Sequence, residues 1–268
     1  MSGPLEGRVA VVTGGSRGIG RGIALRLARD GAHCVVTYRK DAGAAAETVA
    51  ALEALGVRAL AERLELAEPE QVGPAFERIG AAFGRVDVLV ANAAATAFRP
   101  MLEQKPHNVR RTFAISVDAF VAMAQAAVPL MAGRPGRIVL VSGIDSFHAM
   151  AGHGVLGAAK AAAEALVRGL ALELGPLGVT VNAVTPGFVK TDSSTYYVTQ
   201  GLGLDYERAT ARLLAATPVR RHGTPEDVAA LVAYLASDAA SFLTGQCIVI
   251  DGGLTITSPL SRMEEDGA

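Results

Sequence analysis

The stretch Arg8-Val-Ala-Val-Val-Thr13-Gly14-Gly15-Ser16-Arg17-Gly18-Ile19-Gly20 decides the fold of this chain. An unbroken apolar run from Val9 to Val12 suits a strand buried on both faces, the habit of parallel sheets. The glycines that follow give a tight turn, and Gly20 to Asp30 reads as a helix. Without Cβ atoms, such a turn lets backbone N–H groups approach a pyrophosphate, and the helix N-terminus adds its positive dipole end. Strand, glycine turn and helix in this order make Gly14, Ser16, Arg17, Gly18, Ile19 and Gly20 candidate phosphate contacts.

The alternation continues to the far end of the chain. Further strands are predicted at Ala32–Tyr38, Arg58–Leu64, Val86–Ala91, Arg137–Ser142, Val179–Val184 and Gln246–Asp251. Helices are predicted at Ala44–Leu55, Glu68–Phe83, Pro106–Met131, Gly154–Leu174 and Pro225–Ser237. Strands and helices taking turns at this spacing build βαβ units with right-handed crossovers. The expected architecture is α/β: a single-domain, doubly wound three-layer α/β/α fold of Rossmann type over residues 1–268, with a seven-stranded parallel sheet. The stretch from Phe188 to about Tyr206 has no such pattern and reads as a long irregular loop, the core of a substrate lid at residues 188–212.

Composition narrows the class. Half of the 268 residues are hydrophobic but only 5% are aromatic and none is Trp, so the core is built from Ala, Val and Leu. Thirty glycines without a Gly-X-Y period exclude collagen-like and disordered chains. A formal net charge of −1 speaks against a nucleic-acid partner. Cys34 and Cys247 stand apart, in no CxxC or Cys/His cluster, which fits buried thiols in a reducing cytosol and leaves no metal site to expect. The N-terminus shows no secretory pattern, and the apolar stretch Ala119–Ala132, interrupted by Gln125 and Pro129, is too short for a bilayer. A soluble cytoplasmic protein without membrane partners is expected.

The end of the second strand chooses the dinucleotide. An acid there would hold the ribose 2′-OH of NAD, whereas a basic residue accommodates the 2′-phosphate of NADP. Arg39 stands at that point beside Tyr38 and Lys40, and Arg17 in the glycine turn supplies a second clamp, so NADP(H) is the expected cofactor.

The Thr13-Gly-x-x-x-Gly18-x-Gly20 spacing resembles the short-chain dehydrogenase/reductase family. The further marks of that resemblance are Asn92-Ala93-Ala94, Lys160 in the helix after strand five, Asn182 with Pro186-Gly187, and Thr244-Gly245-Gln246 leading to Asp251-Gly252-Gly253. They run from about Arg8 to Leu254. Within the family, the segments Asn92–Pro100 and Ser142–Lys160 look most like enoyl-[acyl-carrier-protein] reductase III, in which the catalytic Tyr stands seven residues before the Lys instead of four. The resemblance implies nicotinamide chemistry and cofactor contacts at Tyr38, Glu65, Leu66, Asn92, Ala93, Ala94, Lys160, Pro186, Gly187, Val189 and Thr191.

The proton-transfer half of the family site is altered. Four residues before Lys160 stands Leu156, and seven before it stands His153; from Phe147 to Lys160 there is no Tyr at all. Gly143 occupies the position of the catalytic Ser, with Ser142 just before it, and Ser116 that of the helix Asn. Imidazole exchanges protons near neutrality, so His153 is the leading substitute, with His148 behind it. Tyr196 and Tyr197 on the lid offer a phenol, or simply apolar packing. Ser142, Asp145 and Ser146 offer hydrogen bonds to substrate, although turn and capping chemistry suits Asp145 better. The candidate catalytic set is Lys160, His153, Ser142, Ser116 and Tyr196.

These residues lead to an NADPH-dependent oxidoreductase reducing an enoyl or keto group of an acyl-thioester or polyketide-like substrate. A non-redox isomerase, cyclase or dehydratase on the same fold and a non-catalytic NADP-binding protein are the alternatives. The lid, with Tyr196, Tyr197, Val198, Leu202, Leu204 and Tyr206, suits a mainly apolar substrate, free or carrier-bound, and Lys190 with Arg220-Arg221 offers a surface for an acidic carrier. By resemblance, the helices Pro106–Met131 and Gly154–Leu174 pair between subunits into a homotetramer or homodimer.

Overall fold

The apolar run ahead of the glycine turn forms strand β1 (Val9–Val12), in which every residue is buried. In the computed structural model, which describes residues 3–258, six more strands join it: β2 (His33–Tyr38), β3 (Ala59–Arg63), β4 (Val88–Ala91), β5 (Gly136–Val141), β6 (Val179–Pro186) and β7 (Cys247–Ile250). All pairings are parallel, in the order β3-β2-β1-β4-β5-β6-β7. The strand order reverses between β1 and β4, and in such sheets the crevice beyond the C-terminal ends at that point receives the ligand.

Registry explains why the central strands read as continuous apolar runs. Val35, Val11, Leu89, Ile138 and Val181 align across five strands and enter one hydrophobic core. Val36, Val12, Val90 and Val139 align one residue further on and enter the other core. The first core is closed by α3 (Val72–Phe83), α5 (Ala119–Met131) and α6 (Gly154–Leu174), through residues such as Phe76, Phe120 and Val167. The second is closed by α1 (Gly18–Arg29), α2 (Ala42–Glu53) and α9 (Pro225–Ala236), through Ile23, Leu52 and Val232. One sheet with a core on each face gives the three layers expected.

Helix ends follow local chemistry. Asp41 accepts the amide of Ala44 and starts α2 two residues earlier than the apolar pattern suggests. Thr224 and Asp227 cap α9 reciprocally, with Pro225 in its first turn. The expected long helix at Pro106–Met131 is continuous but not uniform: α4 (Pro106–Phe113) passes through a π-helical turn, Ala114–Asp118, into α5. Those 26 residues are long and apolar enough to cross a membrane by length and composition, yet here α5 packs on α3 and the sheet, and α4 on α6.

One expectation is corrected. The stretch after β6 is not an irregular loop. It holds α7 (Asp192–Tyr196), a second π-helical turn (Tyr197–Gly201) and α8 (Tyr206–Ala216). Polar caps start both helices, Thr191 accepting the amide of Ser194 and Asp205 that of Arg208.

Candidate active site

At the end of β1 the chain turns through Gly14 to Gly18 into α1, whose N-terminus no side chain caps. Close approach is built into the turn: a Cβ on Gly20 would lie 2.3 Å from the Gly14 carbonyl oxygen. The Thr13 hydroxyl oxygen accepts the amides of Asn92 and Ala93, and Asn92 Nδ2 donates to the Thr13 carbonyl, which ties the ends of β1 and β4 across the crevice. Thr48 of α2 donates to the Ser16 carbonyl and steadies the turn. Arg17 in the glycine turn and Arg39 just after β2 are exposed, and neither has an ion-pair partner among the described residues. Uncapped amides and two uncommitted cations form a cradle for a phosphorylated dinucleotide.

The remaining expected cofactor contacts border the same crevice. Leu66 is buried; Glu65 accepts the amide of Ala67 and faces Arg111 at 3.6 Å, so its carboxylate is partly engaged in shaping its own loop. Pro186 ends β6, the Gly187 amide donates to the Ile250 carbonyl, and Val189 is buried in the second core, paired with Gly223. Thr191 caps α7 close to the glycine turn, where a Cβ built on Gly18 would lie 3.7 Å from its methyl group.

The chemistry-bearing side chains gather after β5. A 3-10 turn, Ile144–Ser146, carries Asp145, whose side chain is only 4% exposed. Lys160 on α6 donates to its Oδ1 at 3.0 Å, and His153, just before α6, meets its Oδ2 through Nδ1 at 2.9 Å. Burial raises the Asp145 carboxyl pKa, but the His153 hydrogen bond and the Lys160 charge and hydrogen bond outweigh it and hold the group below its usual value. A Cβ on Gly143 would sit 2.4 Å from Lys160 Nζ and 2.6 Å from Asp145 Oδ1, so the pair in this geometry leaves no room for a side chain at 143. Leu156, four residues before Lys160, is buried.

His153 stands in an aromatic enclosure. Its ring stacks on Phe98 with centroids 4.9 Å apart and takes the edge of Tyr197 at 4.3 Å. Tyr197 donates to the Ala151 carbonyl, and its phenol pKa is pushed up by burial and then by the Asp145 charge. Nε2 of His153 is out of solvent and has no hydrogen-bond partner among the described residues.

Of the five catalytic candidates, the structure brings Lys160 and His153 together through Asp145. Ser142 is buried with its hydroxyl turned to Glu164 Oε1 at 2.6 Å, an oxygen that also accepts from Ser146 and Thr185. Ser116 lies in the π-helical turn, its hydroxyl buried without a partner among the described residues, beside a cavity of about 20 Å³ that Lys160, Ala93 and Ala94 also line. That space suits one water molecule. Tyr196 is 59% exposed with its ring 6.4 Å from Phe98, and it is the next residue, Tyr197, that closes on His153. Tyr197 was in view as the second half of the Tyr-Tyr pair and Asp145 as a hydrogen-bonding residue after β5; the bridge that Asp145 makes between Lys160 and His153 emerges only in the folded chain.

The sequence pattern of the enoyl-(acyl carrier protein) reductase family matches residues 14–255. The chain belongs to the short-chain dehydrogenase/reductase family. A 1-cyclohexenylcarbonyl-CoA reductase of Streptomyces collinus is 40% identical over 94% of this chain and 88% of its own. A tetrahydroxynaphthalene reductase of Pestalotiopsis fici is 34% identical over 93% of this chain and 92% of its own. Among solved structures, a short-chain dehydrogenase from Burkholderia cenocepacia in complex with NADP superposes with a TM-score of 0.86 at 37% identity, covering 94% of this chain and 99% of that one.

Proposed function

We propose that the protein is an NADPH-dependent reductase of α,β-unsaturated acyl thioesters in which His153 takes the place of the family's tyrosine. The observation that carries this reading is the chain Lys160–Asp145–His153, seated after β5 in a segment, Phe147 to Lys160, that contains no tyrosine, while the nearby Tyr197 hydroxyl is committed to the Ala151 carbonyl. The glycine cradle, too tight for a Cβ at Gly20, and the free cations Arg17 and Arg39 fit a 2′-phosphorylated dinucleotide. The Streptomyces collinus relative reduces a CoA thioester of this chemical class, which supports the choice of substrate.

The bound cofactor would supply a hydride to the β-carbon of the substrate. The C=C electron pair then moves onto the α-carbon and the thioester oxygen as an enolate, and the Lys160 ammonium provides positive potential nearby. His153 in its protonated form delivers a proton from Nε2 to the α-carbon and recovers one from solvent, while Asp145 accepts from Nδ1–H throughout. Because Nε2 is covered, substrate entry parts the rings of Phe98 and Tyr197. An enolate is a weaker demand on the acid than a ketone's alkoxide, which makes an enoyl group the better match than a keto group for a site without a phenol.

Mixing the protein with NADPH and an unsaturated CoA thioester such as 1-cyclohexenylcarbonyl-CoA tests this reading at the nicotinamide absorbance band. Turnover is expected, and His153→Ala should lower kcat about 100-fold or more. Full activity in that variant would remove His153 from the mechanism. Product formed without loss of NADPH would favour a non-redox enzyme. We also infer a homo-oligomer, a tetramer first, since Leu172 at the end of α6 and Phe242 ahead of β7 remain 80% and 104% exposed.

A further inference from the structure

Resting on the reading of His153 as proton donor, we propose that Asp145 is the positioning residue of this site. It fixes His153 in the tautomer with hydrogen on Nδ1, and Gly143 is the residue that makes room for it. Both carboxylate oxygens of Asp145 are taken by side chains of the site, Oδ1 by Lys160 and Oδ2 by His153. The role is therefore not the backbone capping usual for an acid in a turn. A buried carboxylate without a cation is strongly unfavourable, and Lys160 supplies the counter-charge at 3.0 Å. With Nδ1 committed to that carboxylate, Nε2 is the only ring nitrogen at which a proton can come and go, and no other described group bonds it.

Gly143 and Asp145 depend on one another. A Cβ at position 143 would fall within 2.6 Å of both partners of the ion pair, and those atoms are the ends of side chains that can swing away. A serine at 143, as elsewhere in the family, therefore displaces the pair without breaking the backbone. The glycine that looks like the loss of a catalytic hydroxyl is the clearance that lets an aspartate reach the lysine and the histidine together.

The imidazole nitrogens report this directly, without cofactor or turnover. In ¹⁵N-detected NMR of the full chain, at a pH where the ring is neutral and with His153→Gln for assignment, the protein should show hydrogen on Nδ1. Asp145→Asn, whose carboxamide can donate to Nδ1, should move it toward Nε2. The same variant should lose kcat about 100-fold with no weakening of NADPH binding. Gly143→Ser, which acts on the contact from the other side, should give both effects, and adding it to Asp145→Ala should cost little more. An unchanged His153 tautomer in Asp145→Asn, or full activity in Gly143→Ser, overturns the proposal. An active His153→Ala with an Asp145-dependent tautomer would instead reject the proton-donor reading and leave the positioning intact.

Discussion

Gly143 and Asp145, two residues apart, let one buried carboxylate meet both Lys160 and His153. Gly20→Ala pushes a Cβ against the Gly14 carbonyl and should abolish NADPH binding, as seen by fluorescence titration, while the purified protein keeps its helical circular dichroism. Cys34 is fully buried, and burial pushes its thiol up to about 12, so it should resist alkylation at pH 8 until the protein is unfolded. Rapid labelling of native protein at Cys34 would show that β2 opens. The glycine turn, Arg39, Lys160 and His153 were legible in the sequence because each belongs to a pattern of spacing. Asp145 was legible only as a hydrogen bonder to substrate or to its own turn; its bridge between Lys160 and His153 depends on the space beside Gly143, which is three-dimensional.

At the scale of elements, periodicity located the strands within a residue or two, since a strand buried on both faces leaves an unbroken apolar run. The lid escaped because its helices are short, mixed in composition and joined by a π-helical turn, whose departure from a 3.6-residue repeat erases the pattern. Their caps at Thr191 and Asp205 were readable signals that the lack of periodicity overrode. The N-terminus of α9 offers a test of such chemistry. Thr224→Ala removes one arm of the capping box and should destabilise the fold by about 1 kcal/mol in urea titrations. Its partner Asp227 is held down to about 2 by the Arg221 hydrogen bond, against opposing burial, and by its bonds to Thr224. A depressed carboxylate stabilises the folded state in full above its unfolded pKa of about 4, and the benefit goes as pH falls toward 2. The stability gap between the protein and Asp227→Asn should therefore be largest above about pH 4 and close in stronger acid. A gap that persists at pH 2 would mean that the carboxylate charge does not contribute.

For the whole molecule, one parallel sheet gathers the ends of β1, β4, β5 and β6 at the point where strand order reverses. The glycine turn, Lys160 and the His153 enclosure all follow the C-terminal ends of these strands, which sets the cofactor and proton-donor groups of the proposed mechanism along one edge of the sheet. Light scattering should give a mass close to four chains. Phe242→Glu, a change on an apolar side chain left fully in solvent, should lower that mass if the exposed patch is an interface. A monomer would show that these apolar side chains serve another purpose.

The most direct measurement is reduction of an unsaturated CoA thioester by the protein and NADPH in deuterated water, with the product read by NMR. The expected product is the saturated thioester carrying one solvent deuterium at the α-carbon in a single configuration, since His153 Nε2 presents its proton from one side. A carbonyl reduced to an alcohol, or α-deuterium in equal amounts of both configurations, would contradict a histidine-donated proton in an enoyl reductase.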